Sequence, residues 1–544
     1  MIQINRVAVL GGGVMGSTIA AHLANAGLEV LMLDILSQDI TEEERAKGLT
    51  LESPEVRNAL AAKGLKNAIK AKPAAFFLKE YASLVEVGNF DDDMEKIRNC
   101  DWVIEVVVEN MEIKKKFLAE KVVPNIAEGT VLSTNTSGLS VNEMARVLPE
   151  SVRKNFILTH FFNPPRYMRL VEIAPCRDTN PDVVSHMADF IGKRLGKGIV
   201  YAKDTPNFVG NRIGIYAMLN SIKHMLEMGL TVEEVDAIAG PATARPKTAM
   251  FRTGDFVGID TLVHVVNNSY RLLTEDEDRE IFKVPEFIAK MVDKGLLGNK
   301  TGKGFYRKEK SAEGTKIFYY DYRTGEYKPL EKAGFASIQS ARQLDDPAKR
   351  LKAVITGKDK AAEFAWKNLR DTLIYTVKRI PEISDDIINV DNAMKWGFNW
   401  ELGPFEMLDA LDVRYFVDRT EKDGVAVPEA LKKAERFYKY EGGRKFFYDL
   451  GTGGYREVPF RPDRIKLEIL RQSGGVVEEN AGCSLVDLGD GVFCCEFHSK
   501  MNSIGGDILS MTLKAIRRAE KEGVGLVVGN QGGNFSVGAN LMLI

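Results

Sequence analysis

Residues 7–34 read VAVLGGGVMGSTIAAHLANAGLEVLMLD, and this stretch decides how the chain begins to fold. Val7-Ala-Val-Leu10 is an apolar run of the kind buried on both faces of a parallel sheet. Gly11, Gly13 and Gly16 follow in G-x-G-x-x-G register. A helix through Ile19 and Leu23 ends at Gly27, a natural C-terminal cap. Glu29–Leu33 forms a second strand that stops at Asp34. The glycines permit a tight turn and close approach of the backbone to a pyrophosphate, whose charge meets the helix N-terminus. Asp34 stands where a carboxylate bonds the ribose hydroxyls of an adenosine and repels a 2′-phosphate. Strand, loop, helix and acid together predict a Rossmann-type unit that binds NAD in preference to NADP. A glycine-rich turn with no ligand would leave Asp34 without a purpose.

The 544 residues exceed a single core and point to about three or four domains. A composition of 44% hydrophobic and 28% charged residues is that of a soluble globular protein. The net charge of −2 gives no general attraction to nucleic acid or a membrane surface. The opening MIQINRVAVLGGG is a first strand, not a signal peptide, and no apolar stretch approaches the ~18 residues of a membrane span. Cys100, Cys176, Cys483, Cys494 and Cys495 lack ligand or disulfide spacing, which predicts a reducing, cytoplasmic setting. The six histidines are scattered, so no metal is expected.

Along the chain, residues 38–98 read as charged, helix-prone and largely solvated. Trp102-Val-Ile-Glu-Val-Val-Val108 is again a strand and ends at Glu109; Lys114 lies on the following helix, which Pro124 terminates. Thr130-Val-Leu-Ser133 precedes Asn135-Thr-Ser-Gly138, and Ser140 with Glu143 forms a capping box. With that helix capped by Ser140, Ser137 is left on a loop at the carboxyl end of a parallel strand, where open α/β sheets bind ligands. Next comes THFFNPPRYMRLVE, residues 159–172. If its Pro164-Pro165 loop folds the chain back, two apolar runs pair and bring His160 to Glu172. A carboxylate on one imidazole nitrogen fixes the tautomer, which suits a general base. Asp204-Thr-Pro206 predicts a helix from Pro206 to Gly229 with a stripe of Phe208, Ile215, Leu219, Ile222 and Leu226. Asn211 falls on that stripe, where its amide bonds a neighbouring backbone or faces a polar ligand.

These motifs together resemble the NAD-dependent L-3-hydroxyacyl-CoA dehydrogenase family over residues 3–308. They are VAVLGGGVMG, WVIEVVVENMEIK, STNTSGLS, HFFNPPRYMRLVE, KDTPNFVGNR and KTGKGFY. The resemblance implies that His160 is the catalytic base and Glu172 its partner. It implies that Ser137 and Asn211 contact the substrate, and that Glu109 and Lys114 lie near the nicotinamide ribose. The family's VNR is GNR here, at Gly210. The substrate and product implied are a 3-hydroxyacyl-CoA and a 3-ketoacyl-CoA.

The second half opens with a repeat. Val235-Asp236 leads to Gly254–Asp260 as Val390-Asp391 leads to Gly403–Asp409, and FYYDYRTG (318–325) is echoed by FFYDLGTG (446–453), each a hairpin. From Ser484 the chain resembles the opening of the enoyl-CoA hydratase (crotonase) fold, with Ala539 at the position of one oxyanion donor. The expected fold is an α/β Rossmann-type domain (1–203) followed by two all-α, 6-phosphogluconate-dehydrogenase-like helical domains (204–308 and 346–460). A β-hairpin linker (309–345) separates these two, and a linker (461–483) leads to an incomplete α/β crotonase-like segment (484–544). The second helical copy lacks THFFNP and GNR and reads as structural, as in long β-oxidation multienzymes. No hydratase activity is expected of the chain alone, which reads as a truncated bifunctional enzyme or as one that a separate chain completes. Possible partners are a second copy or a hydratase or thiolase chain. Rival readings are a dehydrogenase of a free hydroxy acid, or a scaffold whose partial crotonase end docks a hydratase.

Overall fold

The computed structural model opens on an eight-stranded sheet. Its strands are β1 (Arg6–Leu10), β2 (Glu29–Asp34), β3 (Val85–Asn89), β4 (Trp102–Glu105), β5 (Val131–Thr134), β6 (Phe156–Phe161), β7 (Leu170–Pro175) and β8 (Gly198–Tyr201). They lie in the order β3-β2-β1-β4-β5-β6-β7-β8. Neighbours from β3 to β6 are parallel, β7 is antiparallel to β6, and β8 is parallel to β7. Strand order reverses between β1 and β4, and at such a switch point the loops leaving the strands open into a crevice. The helices α1 (Val14–Asn25), α2 (Ala59–Lys70), α3 (Met111–Phe117) and α4 (Val141–Ala145) follow β1, β2, β4 and β5. The residues described are 3–311, 314–331, 333–441, 444–459 and 465–541. They form two units, residues 1–432 and 433–544.

Gly27 closes α1 with φ +77°. On α2, Lys63, Lys66 and Lys70 are exposed as expected. Its other face is less bland than the composition indicates, because a Cβ on Gly64 would lie 2.1 Å from the Gly12 carbonyl oxygen. This helix therefore packs directly on the glycine loop.

The helical part of the first unit begins with α5 (Gly210–Met228), α6 (Val232–Ile238) and α7 (Phe251–Val257). The expected helix start at Pro206 is four residues early. Asn207 and Phe208 have φ of +64° and +49°, and Asp204 spends its carboxylate on Ser140 Oγ and the N–H groups of Val141 and Asn142. Ser140 does cap α4, accepting from Glu143 N–H at 3.2 Å, but the Glu143 carboxylate turns to Arg146 and does not complete a capping box. Gly229, φ +60°, ends α5 as predicted. Leu226 is 42% exposed, against expectation, because α5 is buried on nearly every face and a single stripe does not describe it.

The helices α8 (Lys360–Lys378), α9 (Ile387–Gly397) and α10 (Pro404–Leu411) repeat the pattern. Asp236 of α6 accepts from the N–H groups of Met250 and Phe251 at 3.0 and 2.8 Å. Asp391 of α9 accepts from Phe405 and Glu406 at 2.8 and 3.2 Å at the start of α10. The helices α5 and α8 meet where Tyr216 stacks on Tyr375 at 3.7 Å. There the buried Arg212 guanidinium donates to Tyr375 Oη and pairs with Asp276, both at 2.6 Å. Removing one partner of a buried pair of this kind costs about 3–5 kcal/mol.

A three-stranded meander, β9 (Tyr306–Ser311), β10 (Gly314–Asp321) and β11 (Glu326–Pro329), closes the first copy. Its counterpart, β12 (Tyr438–Glu441), β13 (Arg444–Asp449) and β14 (Gly454–Glu457), lies in the second unit. The division at residue 432 thus falls inside the expected 346–460 segment. Within each meander the same contacts recur: Tyr320 on Tyr327 at 5.7 Å and Tyr448 on Tyr455 at 5.5 Å, edge to face.

The remainder of the second unit is a four-stranded sheet, β15 (Val476–Glu479), β16 (Cys483–Asp487), β17 (Val492–Phe497) and β18 (Gly525–Gly529), with helix α11 (Gly506–Glu522) between the last two. Two cysteines that the spacing left unrelated come together here. The antiparallel register of β16 and β17 sets Cys483 Sγ 3.1 Å from Cys495 Sγ, both buried. Ala539 is exposed and bridges Ile504. Leu541 is 84% exposed, while residues 542–544, like 460–464 around the expected domain boundary, lie outside the described residues. No described helix is long and apolar enough to cross a membrane.

Candidate active site

The glycine loop shows what each glycine is for. Gly11 has φ +124°, and a Cβ there would lie 2.5 Å from the Val106 carbonyl oxygen; at Gly16 it would lie 1.7 Å from that of Gly11. Turn and helix–strand contact therefore exclude any side chain at both positions. At Gly13, by contrast, a Cβ meets nothing within 4 Å. That residue is the N-cap of α1 with no side-chain cap, so the open space lies where helix N–H groups face outward, as a pyrophosphate requires. Asp34, at the end of β2, accepts from Gly12 N–H at 2.9 Å and stands beside this loop. The donor set fits NAD.

A second group gathers at the ends of β4 and β5. Glu109 Oε1 accepts from Thr136 Oγ1 at 2.7 Å, Ser137 N–H at 2.8 Å and Ser137 Oγ at 3.0 Å. Burial pushes this carboxyl up, but Lys114 and the three hydrogen bonds outweigh it and hold it below the ordinary range. Lys114 is buried beside Glu109. Its side chain is 1% exposed and donates to Glu105 Oε1 at 2.7 Å and the Val107 carbonyl at 3.1 Å, with Glu109 3.5 Å away. It serves as counter-charge to two acids, Glu105 and Glu109. Glu105, fully buried, also accepts from Thr134 Oγ1 at 2.6 Å and Val107 N–H at 2.7 Å. Sequence reading passed over it, although an acid inside the run WVIEVVV is itself the signal of a buried, partnered charge.

The third group is the antiparallel pair β6–β7, in which His160 stands directly opposite Glu172. His160 Nδ1 lies 2.7 Å from Glu172 Oε2, with both side chains buried. The other oxygen, Oε1, accepts from Val209 N–H at 3.1 Å and Gly210 N–H at 2.7 Å, the first free donors of α5. A fully buried carboxylate is thus satisfied on both oxygens. Acceptance by Oε2 makes Nδ1 the protonated nitrogen and leaves Nε2 as a bare acceptor. The ring packs against Phe162 at 4.6 Å and Phe208 at 6.0 Å.

The loop between the two strands is held from behind. The buried Lys197 ammonium donates to the Pro165 and Met168 carbonyls, and burial lowers its pKa to about 8. Asn211, the second residue of α5, is half-buried, and its amide makes no hydrogen bond among the described residues. Of the two roles open to it, the backbone partner is absent. Among the described residues no group of three or more His, Cys, Asp or Glu is placed to hold a metal.

An open parallel sheet with a dinucleotide loop, joined to a carboxylate-held imidazole at the foot of a helical domain, defines an NAD-dependent oxidoreductase. Residues 6–205 match the family model for the NAD-binding domain of 3-hydroxyacyl-CoA dehydrogenase, and residues 208–308 match that for its C-terminal domain. A probable 3-hydroxyacyl-CoA dehydrogenase of Bacillus subtilis is 46% identical over the whole of this chain, which spans 68% of that relative. Another, from Deinococcus radiodurans, is 41% identical over 57% of this chain and 84% of its own length. The crystal structure of 3-hydroxybutyryl-CoA dehydrogenase from Escherichia coli K12 has a TM-score of 0.56 at 20% identity, covering 79% of this chain and 98% of that one; that likeness is one of fold. The chain belongs to the 3-hydroxyacyl-CoA dehydrogenase family.

Proposed function

We propose that this chain oxidises the 3-hydroxyl of an L-3-hydroxyacyl-CoA to the 3-ketoacyl-CoA in fatty-acid β-oxidation, with His160 as general base. The observation that carries this reading is the 2.7 Å contact between His160 Nδ1 and Glu172, which leaves Nε2 able to accept a proton. Bound NAD supplies the acceptor for the hydride that leaves C3. His160 takes the hydroxyl proton at Nε2. Glu172, fixed by the N–H groups of α5, keeps the tautomer and stabilises the imidazolium. Ser137 turns its hydroxyl from Glu109 to a substrate oxygen, while its N–H keeps Glu109 in place. The unpaired Asn211 amide aligns the acyl end, work whose value lies in orientation. Gly13 and Asp34 bind the pyrophosphate and the adenosine ribose, and Glu109, backed by Lys114, faces the nicotinamide ribose.

Residues 346–460 are, in this reading, a degenerate second copy of the helical domain, whose α8 packs on α5 of the first as two subunits would. The four-stranded sheet with α11 packed on it supports a crotonase-like segment from residue 484. Leu509, Leu513 and Ile516 expose an apolar face on α11, consistent with a covering partner. A cytoplasmic location accords with free, buried thiols.

The test is NADH formation from 3-hydroxybutyryl-CoA and longer CoA esters against free 3-hydroxybutyrate. Turnover of the esters is expected. Turnover of the free acid alone would favour the rival dehydrogenase, and no turnover of any ester would refute the assignment.

A further inference from the structure

We infer that Phe398, from the second helical copy, is a positioning residue for His160 and acts through Phe162. The inference rests on the catalytic reading of His160. The end of α9 and the residue after it, Trp396-Gly397-Phe398, are seated on the elements that carry the His–Glu pair. A Cβ on Gly198 of β8 would lie 2.3 Å from the Trp396 ring, whose face also takes the Arg169 guanidinium at 4.5 Å. A Cβ on Gly397 would lie 2.5 Å from Leu170 Cδ2 and 3.2 Å from Phe162 Cε1. The Phe398 ring covers Gly214 of α5, where a Cβ would come within 2.1 Å of it. It meets Phe162 edge-on at 6.3 Å and 69°.

Phe162, half-buried, is flanked by Gly397, Phe398 and, at 3.0 Å from its Cζ, the place a Cβ on Gly210 would take. It also meets the His160 ring, 4.6 Å away and tilted by 49°. The hydrogen bond to Glu172 fixes one point of the imidazole, and the plane of the ring is set by the rings packed on it, Phe162 at 4.6 Å and, farther off, Phe208 at 6.0 Å. A second contact, on the ring face, is needed to fix its plane and so the direction of Nε2. Phe162 supplies that contact, and Phe398 stops Phe162 from backing away. The second copy lacks site motifs of its own, yet it completes the packing behind the base of the first.

The experiment compares the full-length parent with Phe398→Ala, Phe398→Leu and the ring-retaining Phe398→Tyr. Two readouts are taken: kcat and KM for a 3-hydroxyacyl-CoA, and the rate at which diethyl pyrocarbonate modifies His160. The rate is followed by peptide mass spectrometry, with the exposed His264 as internal reference. Phe398→Ala is expected to lower kcat about tenfold, with KM for NAD unchanged. Modification of His160 should become several-fold faster with His264 unaffected. Phe398→Leu should fall between, and Phe398→Tyr should stay near the parent. Parental kcat and parental His160 reactivity in Phe398→Ala would overturn the inference, as would a kcat loss with His160 reactivity unmoved. Should the alanine variant fail to fold, the leucine variant decides by the same two readouts. A parent without turnover would refute the proposed function instead, and the modification rates would still decide the positioning role.

Discussion

Replacing Glu172 by glutamine should damage turnover more than replacing it by alanine, and the hydrogen bonds explain why. Two N–H donors, from Val209 and Gly210, point at Oε1. In the Glu172→Gln variant those donors demand the amide oxygen, because turning the NH2 toward them would leave buried donors unpaired, at about 1–3 kcal/mol each. The NH2 is then forced onto His160 Nδ1, which must become the acceptor. Nε2 must carry the proton, and a protonated Nε2 cannot take another from the substrate. Selection of the wrong tautomer should cost ~10³–10⁴-fold in kcat, the upper end of what a positioned base contributes. Glu172→Ala leaves the tautomer free, so its kcat should fall less, by ~10²-fold. It should unfold more readily, however, because it strands the two helix donors. The assay is steady-state NADH formation beside urea denaturation of all three proteins, with NAD affinity measured by fluorescence and expected to hold. A glutamine variant within tenfold of the parent, or an alanine variant slower than the glutamine one, would refute the argument.

Further outcomes follow from the same geometry. His160→Ala should lower kcat by ~10²–10⁴-fold with NAD binding retained; near-parental turnover would remove His160 from the mechanism. Gly13→Ala should fold normally, since nothing lies within 4 Å of the added carbon, but bind NAD more weakly by titration. Gly16→Ala, 1.7 Å from a carbonyl oxygen, should not give a stable protein. Asp34→Ala should raise the ratio of NADP to NAD turnover, and an unchanged ratio would count against Asp34 as the ribose reader. His22 gives a pH dependence: burial foremost, then Lys197, lowers its pKa from 6.5 to about 3. Its Nε2 bonds the Leu195 carbonyl while Nδ1 is buried without a partner. Below pH 6.5 the unfolded chain takes a proton that the folded chain refuses, so stability falls as pH drops toward 3. Between pH 7 and pH 5 this group should remove about 2 kcal/mol, a loss that urea midpoints of His22→Gln should lack.

What the sequence disclosed, it disclosed through local pattern. Gly11, Gly13 and Gly16 lie within one turn of chain, and their roles follow from backbone sterics alone. His160 and Glu172 are separated only by a loop that can fold back, so their pairing was also readable, as was the echo of Val235-Asp236 in Val390-Asp391. What remained hidden depends on partners remote in the chain. Pro206 looks like a helix start until Asp204 is seen capping α4 and Glu172 drawing the N–H groups of Val209 and Gly210. Cys483 and Cys495 have no suggestive spacing and meet only through the strand register. The buried pairing of Lys114 with Glu105 and Glu109 likewise shows only once the fold places both acids around it.

The departure of GNR from the family's VNR at Gly210 joins these two kinds of information. Read locally, it leaves Asn211 in place and signifies nothing more. In the fold, position 210 faces both Glu172 Oε1, 3.5 Å from where its Cβ would stand, and the ring of Phe162, at 3.0 Å. A side chain at 210 would press on the ring that lies against His160, and Gly397 and Phe398 already close the far side of that ring. With Gly397 and Phe398 on one side and a side chain at 210 on another, Phe162 would be pressed toward the imidazole. A glycine at 210 is therefore what allows the second helical copy to pack so closely behind the base, and Gly210→Val should lower kcat unless Phe398 is also made smaller. If Gly210→Val alone kept parental kcat, or if Phe398→Leu failed to restore any of its loss, the ring would not be confined in this way.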